Sequence, residues 1–116
     1  MSADGQPAVF PDGGEIPQTT PRPERQRLAA KGRLLAEHCL DGGGTACVLG
    51  FVEYCLGKSP PRLDVVVDLW QYLCREQDRL SRSQDQLRYA MLRELLQDVT
   101  SRLKSALAAI NGREPV

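Results

Sequence analysis

The most reactive side chains in this sequence belong to its four cysteines and its single histidine. His38 precedes the first of three cysteines that recur every eight residues, and a fourth follows: Cys39, Cys47, Cys55 and Cys74. Structural zinc sites use cysteine pairs about two to four residues apart, so this spacing predicts no metal site. Adjacent helical side chains diverge by about 100°, so His38 and Cys39 do not predict a catalytic pair. We expect reduced, buried cysteines, no cofactor and no enzymatic activity.

Two glycine-containing segments invite comparison with phosphate-binding loops. Gly57-Lys58-Ser59 resembles the end of such a loop, but six residues separate Gly50 from Gly57 where the loop needs four. The segment Asp41-Gly42-Gly43-Gly44-Thr45 contains no basic residue that would help to bind an anion. The first segment therefore predicts a helix end followed by a helix start, and the second predicts a flexible connector.

The charged residues argue against direct binding to nucleic acid. Fifteen basic and fifteen acidic side chains cancel, whereas proteins that bind phosphates normally carry a basic surplus. Arginines line one helical face with acidic residues between them: Arg75, Arg79 and Arg82, with Glu76, Asp78 and Asp85. This pattern is typical of a solvated face held by salt bridges.

Length and composition predict a single domain with a tail. The chain has 116 residues, and residues 1–23 contain five of its eight prolines and few large apolar groups. We predict a disordered tail over 1–23 and a helical domain over 24–112. No apolar run reaches the ~18 residues that cross a bilayer, and no signal-peptide pattern begins the chain, so we expect a cytoplasmic protein without a membrane segment.

Apolar periodicity and stop signals predict four helices, over about 23–40, 45–56, 60–80 and 81–110. The third begins at Ser59-Pro60, and the fourth begins at Ser81 or Ser83, each followed by a glutamine in a capping-box arrangement. Thr45 is the predicted N-cap of the second helix, and Gly57 is its predicted left-handed stop. The predicted fold is an all-α bundle of three or four helices with a long C-terminal helix, associated as a homodimer.

The predicted helices carry more apolar surface than a small domain hides easily, which favours protein partners. The second helix has almost no polar face, and the third is apolar over a wide arc. We predict that partner-binding residues lie on these two helices: Phe51, Tyr54, Leu63, Val66 and Trp70. The fourth helix has apolar residues at heptad spacing, and we predict self-association through four of them: Leu92, Leu96, Val99 and Leu103.

Residues 34–70 carry a resemblance to a known family. The run LLAEHCLDGGGTACVLGFVEYCLGKSPPRLDVVVDLW, together with the chain length, resembles the QslA-type anti-activators of quorum sensing, small proteins of pseudomonads. The resemblance implies an all-helical dimer that binds the LuxR-type transcription regulator LasR on its ligand-binding domain. It further implies inhibition of LasR dimerisation, and hence of DNA binding and transcription.

Two other classes of function stay open on the sequence. A secretion chaperone or a toxin-immunity protein is also small, helical and apolar on its surface, and recovery of a secreted partner favours it. A small enzyme or ligand sensor requires a pocket that collects His38 with a cysteine or a carboxylate. The identity of the partner, the stoichiometry of the complex and the division of apolar faces between core and interface do not follow from the sequence.

Overall fold

A computed structural model describes residues 8–9, 15–16 and 20–110 of the chain. Its four α-helices are α1 (Arg22–His38), α2 (Ala46–Leu56), α3 (Leu63–Leu80) and α4 (Gln86–Ile110). The predicted all-helical class is thereby confirmed for the described chain from residue 20 onwards. Within the part of the chain that the structure describes, no helix is both long enough and apolar enough to span a bilayer.

A short strand pair lies within the predicted tail. Strand β1 (Ala8–Val9) pairs antiparallel with β2 (Glu15–Ile16), and β2 lies close to α3. The pairing was not predicted, although the intervening sequence Pro11-Asp12-Gly13-Gly14 is typical of a hairpin turn. The rest of the predicted tail up to residue 19 lies outside the described residues.

The start of α1 is attached to α3 through a buried aspartate. Asp64, in the first turn of α3, accepts hydrogen bonds from the backbone N–H and the hydroxyl of Thr20, and both residues are buried. The same carboxylate accepts a hydrogen bond from the backbone N–H of Val65 at 3.0 Å. Because Pro23 suits the first turn of a helix, α1 begins soon after this attachment.

A π-helical turn, Cys39–Gly43, follows α1 where the sequence predicts a flexible connector. Gly42 and Gly44 have φ angles of 107° and 86°, which only glycine adopts readily. Arg88 of α4 fixes this turn by donating to the carbonyl oxygen of Leu40 at 3.0 Å and to Asp41 Oδ1 at 2.9 Å. The glycines therefore shape a turn that a long-range contact holds in place.

Several predicted helix ends are wrong in detail. Gly57 ends α2 with a φ of −83°, so it is not a left-handed stop. Thr45 is the N-cap of α2, as predicted, but its side chain makes no capping hydrogen bond. Helix α3 begins at Leu63 rather than at Ser59-Pro60, because Pro61 disfavours a helical conformation at Pro60, and the N–H of Arg62 donates to the carbonyl oxygen of Cys55.

The cap of α4 also differs from the prediction. The hydroxyls of Ser81 and Ser83 donate backwards to carbonyl oxygens at the end of α3, so neither serine caps α4. Asp85 serves as the cap instead, since its carboxylate accepts the backbone N–H of Arg88 at 3.1 Å. The loop between α3 and α4 is therefore a little longer than predicted, and α4 begins at Gln86.

Helix α3 is central to the packing, with α1, α2 and α4 each in contact with it. Seven apolar residues of α3 are buried in the common core: Leu63, Val65, Val66, Val67, Leu69, Leu73 and Leu80. Gly32 of α1 allows a close approach, since an added Cβ there would lie 3.0 Å from the ring of Phe51. The core thus joins all four helices and leaves the outer sides of α1 and α2 facing solvent.

Candidate partner-binding surface

The predicted partner-binding residues occupy three different environments. Leu63 and Val66 are fully buried within the core, and the ring of Phe51 is only 6% exposed. Trp70 is half-buried, and its indole N–H donates to Thr100 Oγ1 of α4 at 2.8 Å. Tyr54 is 55% exposed on the outer side of α2. Of the five residues, Tyr54 is therefore the one that a partner reaches most readily on the folded monomer.

The four residues predicted for self-association are buried within one chain. They belong to the common core, and α4 packs mainly against α3 and also against α2: Leu92, Leu96, Val99 and Leu103. A second copy cannot contact Leu92, Val99 or Leu103 while the helices stay packed, and Leu96 is only 9% exposed. Their heptad spacing serves the intramolecular contact of α4 with its neighbours.

An apolar groove runs between the outer sides of α1 and α2, with a volume of about 460 Å³. We define the α1–α2 groove by its lining residues: Arg27, Leu28, Lys31, Leu35, Cys47, Phe51 and Tyr54. The spacing explains the lining, because residues three, four and seven apart share one face of a helix. Leu34 is 66% exposed and is not a lining residue, but it follows Lys31 by three residues and Arg27 by seven, which places it on the same side of α1 as these two cations.

The edge of the α1–α2 groove is basic. Arg27 and Lys31 are exposed, and neither forms a salt bridge with any described residue. Beyond the end of α2, the ammonium of Lys58 lies 4.8 Å from the centre of the Tyr54 ring, which is cation–π geometry. Cations and apolar side chains thus alternate along this surface.

The nearby carboxylates are engaged away from the groove. Glu24 accepts a hydrogen bond from Arg62 Nε at 3.0 Å, and this bond lowers the pKa of the Glu24 carboxyl below its usual range. Glu53 accepts a hydrogen bond from Arg102 of α4 at 3.0 Å. Both acids already pair with arginines, and Glu24 also attracts Arg27 and Lys58 electrostatically, which lowers its pKa further. Lys31 has no salt-bridge partner among the described residues.

The cysteines differ in accessibility, and one prediction about them is wrong. Cys39 and Cys55 are buried, and burial raises the pKa of both thiols, that of Cys55 to about 11. Cys47 is exposed and lines the α1–α2 groove, because it lies on the outer side of α2 rather than in the core. Cys74 is half-buried on α3, and all four thiols are free.

His38 is exposed, whereas the neighbouring Cys39 is buried, so the structure does not bring the two side chains together. The imidazole lies beside Gly43 at the π-helical turn. Among the described residues, no group of three or more histidine, cysteine, aspartate or glutamate side chains is arranged to hold a metal ion.

A second groove lies between α3 and α4 and is mostly polar. Its lining includes one apolar residue, Leu96, among amides, hydroxyls and cations: Gln77, Arg93, Gln97, Thr100, Ser101 and Lys104. Its apolar neighbour Trp70 already has a hydrogen-bond partner across the helices. Because no exposed large apolar side chain lines it, whereas Tyr54 lines the α1–α2 groove, this groove is the weaker candidate for a protein contact.

The sequence prediction overlooked most of the α1–α2 groove. The predicted binding residues include Phe51 and Tyr54 of the lining but no lining residue of α1. The sequence signal for Leu34 is its spacing: it is not three, four or seven residues from the buried positions Leu28 and Gly32, which places it on the solvent side of α1.

Comparisons with protein families, curated proteins and solved structures found no match to this chain.

Proposed function

We propose that this chain is an inhibitory binding protein that covers the dimerisation surface of a LuxR-type transcription regulator such as LasR. The observation that carries the proposal is the α1–α2 groove, with exposed Leu34 and Tyr54 beside an apolar floor. Exposed large side chains of this kind are scarce elsewhere on the described chain, where Leu87 is the third. Such a patch is typical of a surface that is covered by a partner.

The inhibition is a competition between two interfaces. A regulator surface that is buried against α1 and α2 is unavailable for pairing with a second regulator subunit. Dimeric regulators hold two DNA half-sites at once, so a regulator held as a monomer loses most of its affinity for DNA. The proposed anti-activator therefore needs no catalytic group, cofactor or contact with DNA of its own.

Self-association is a further part of the proposal. Because the predicted seam of α4 is buried, a homodimer has to use other residues, and the half-buried Ala106 and Leu107 near the end of α4 are available. Light scattering on the isolated chain measures this directly. A mass near twice 12.8 kDa at micromolar concentration is expected, and a mass near 12.8 kDa contradicts the homodimer.

The inhibitory function is tested with purified LasR and its operator DNA. The chain is titrated into the LasR–DNA complex, and DNA binding is followed by a gel shift while light scattering follows the mass of the regulator. We expect loss of the shifted band together with a complex that contains a single regulator subunit. LasR that stays dimeric and bound to DNA with the chain in excess contradicts the proposal.

A further inference from the structure

We infer that the occupant of the α1–α2 groove is an acidic amphipathic helix, presented by the partner with its apolar side on the groove floor and its carboxylates on the rim. The inference rests on the proposed function, since it names the partner segment for the same surface. It is carried by the combination of an apolar floor with cations that have no salt-bridge partner among the described residues.

The shape of the groove suits a helix. Two adjacent helices form its walls, and its floor is the ring of Phe51 with the side chains of Leu28 and Leu35. An amphipathic helix that binds such a groove inserts apolar side chains at positions i, i+3 or i+4 and i+7. A volume of about 460 Å³ accommodates a few such side chains, and Leu34 and Tyr54 extend the apolar contact beyond it.

The charges select an acidic helix over a basic one. Arg27 and Lys31 line the groove from α1, and Lys58 lies against Tyr54 on the opposite side. Carboxylates that flank the apolar side of the incoming helix would pair with these cations at the rim. Charge complementarity of this kind contributes to partner choice and to association rate, and it weakens as salt screens it.

A second copy of this chain fits the groove poorly. A two-fold interface places the same patch of each chain against its counterpart. The groove-facing cations Arg27 and Lys31 of one copy would then approach those of the other. This repulsion leaves a partner of opposite charge as the better occupant.

The test uses two synthetic helical peptides with identical leucine positions, one flanked by glutamates and the other by lysines. Calorimetric titration of the full chain with each peptide gives the two affinities. We expect the glutamate peptide to bind at least about tenfold more tightly at low salt, and this preference to shrink at about 0.5 M salt. Equal affinities, or no binding of either peptide, overturn the inference.

Charge-reversal variants locate the site. Lys31→Glu should weaken binding of the glutamate peptide by about tenfold and strengthen binding of the lysine peptide. Arg93→Glu is the matched control, because this exposed arginine lines the α3–α4 groove and should change neither affinity. An equal effect of both variants overturns the inference, and helical circular dichroism confirms that each variant is folded.

The peptide-binding test and the LasR–DNA test distinguish failure of the acidic-helix inference from failure of the proposed function. If the chain dissociates LasR from DNA but shows no preference for the glutamate peptide, the function holds and the acidic helix is excluded. If the glutamate peptide binds through Lys31 but LasR stays bound to DNA, the groove chemistry holds and the regulator is excluded as its partner.

Discussion

Two helical glycines have opposite surroundings. A Cβ at Gly50, on the outer side of α2, would meet no heavy atom within 4 Å, whereas a Cβ at Gly32 would press on the buried ring of Phe51 at 3.0 Å. Helix propensity alone treats the two positions alike. Packing distinguishes the two positions. A larger side chain fits at Gly50, which faces solvent, whereas the close approach of α2 to α1 requires glycine at position 32.

Alanine substitutions should reveal this difference. Gly50→Ala is expected to raise the free energy of unfolding by about 0.5–1 kcal/mol, because alanine loses less backbone entropy in a helix. Gly32→Ala gains the same propensity but overpacks the core, which typically costs about 1–3 kcal/mol, so its net effect should be destabilising. Urea denaturation of both variants measures the two values. An equal increase for both would contradict the close packing at Gly32.

The cysteines should differ in reactivity as they differ in burial. At pH 8 an aromatic disulfide reagent is expected to modify Cys47 first, because it is exposed, and Cys55 last, because its thiol is buried with a pKa of about 11. If the Cys47→Ser variant lacks the fast phase of thiol modification, that phase belongs to Cys47. If the fast phase persists in this variant, the outward orientation of Cys47 is wrong.

At the scale of elements, sequence periodicity predicts the helices better than their ends. The apolar spacing of α3 and α4 gives their length to within a few residues, because it depends on the repeat of the helix itself. The caps depend on competition among nearby polar groups: Asp85 caps α4 by accepting the N–H of Arg88, while the hydroxyls of Ser81 and Ser83 donate to carbonyl oxygens of α3. Long-range anchors such as Arg88 on the π-helical turn have no sequence signal at all.

The attachment of α1 to α3 through Asp64 should matter for stability. Asp64→Ala leaves the N–H and hydroxyl of Thr20 and the N–H of Val65 without their acceptor in a buried site. We expect a loss of about 2–3 kcal/mol in the free energy of unfolding. Asp68→Ala, at a half-buried position one turn later, is the control for helix propensity. Similar losses in the two variants would argue against the attachment.

The ion pair between Glu24 and Arg62 adds a pH dependence to the same junction. The pKa of Glu24 is lowered in the folded chain, so the pair stabilises the fold above the ordinary glutamate pKa of about 4.3 and is lost as the pH falls through the lowered value. Glu24→Gln should therefore be less stable than the parent at pH 7, with the difference shrinking at about pH 3. Asp78→Asn is the control for an exposed pair, and it should change little.

For the Glu24 prediction, the measurement is the unfolding free energy of parent and variants at both pH values. A difference between parent and Glu24→Gln that is the same at pH 7 and at pH 3 would contradict the role assigned to the carboxylate.

At the scale of the whole molecule, the predicted surplus of apolar surface is largely internal. Periodicity identifies which side of a helix is apolar, but it does not identify the neighbour that covers it. The broad arc of α3 and the heptad seam of α4 cover each other, which buries Leu63 and Val66 with Leu92 and Val99. Of the three large apolar side chains that stay exposed, Leu34 and Tyr54 lie on α1 and α2, and Leu87 lies on α4.

Substitutions of exposed apolar residues test most directly whether the α1–α2 groove binds the regulator. Leu34 and Leu87 are both exposed on helices, at 66% and 74%, and only Leu34 lies beside the groove. Calorimetric titration with the ligand-binding domain of LasR should show about tenfold weaker binding for Leu34→Ser/Tyr54→Ala and unchanged binding for Leu87→Ser. Undiminished binding by the double variant would contradict the account.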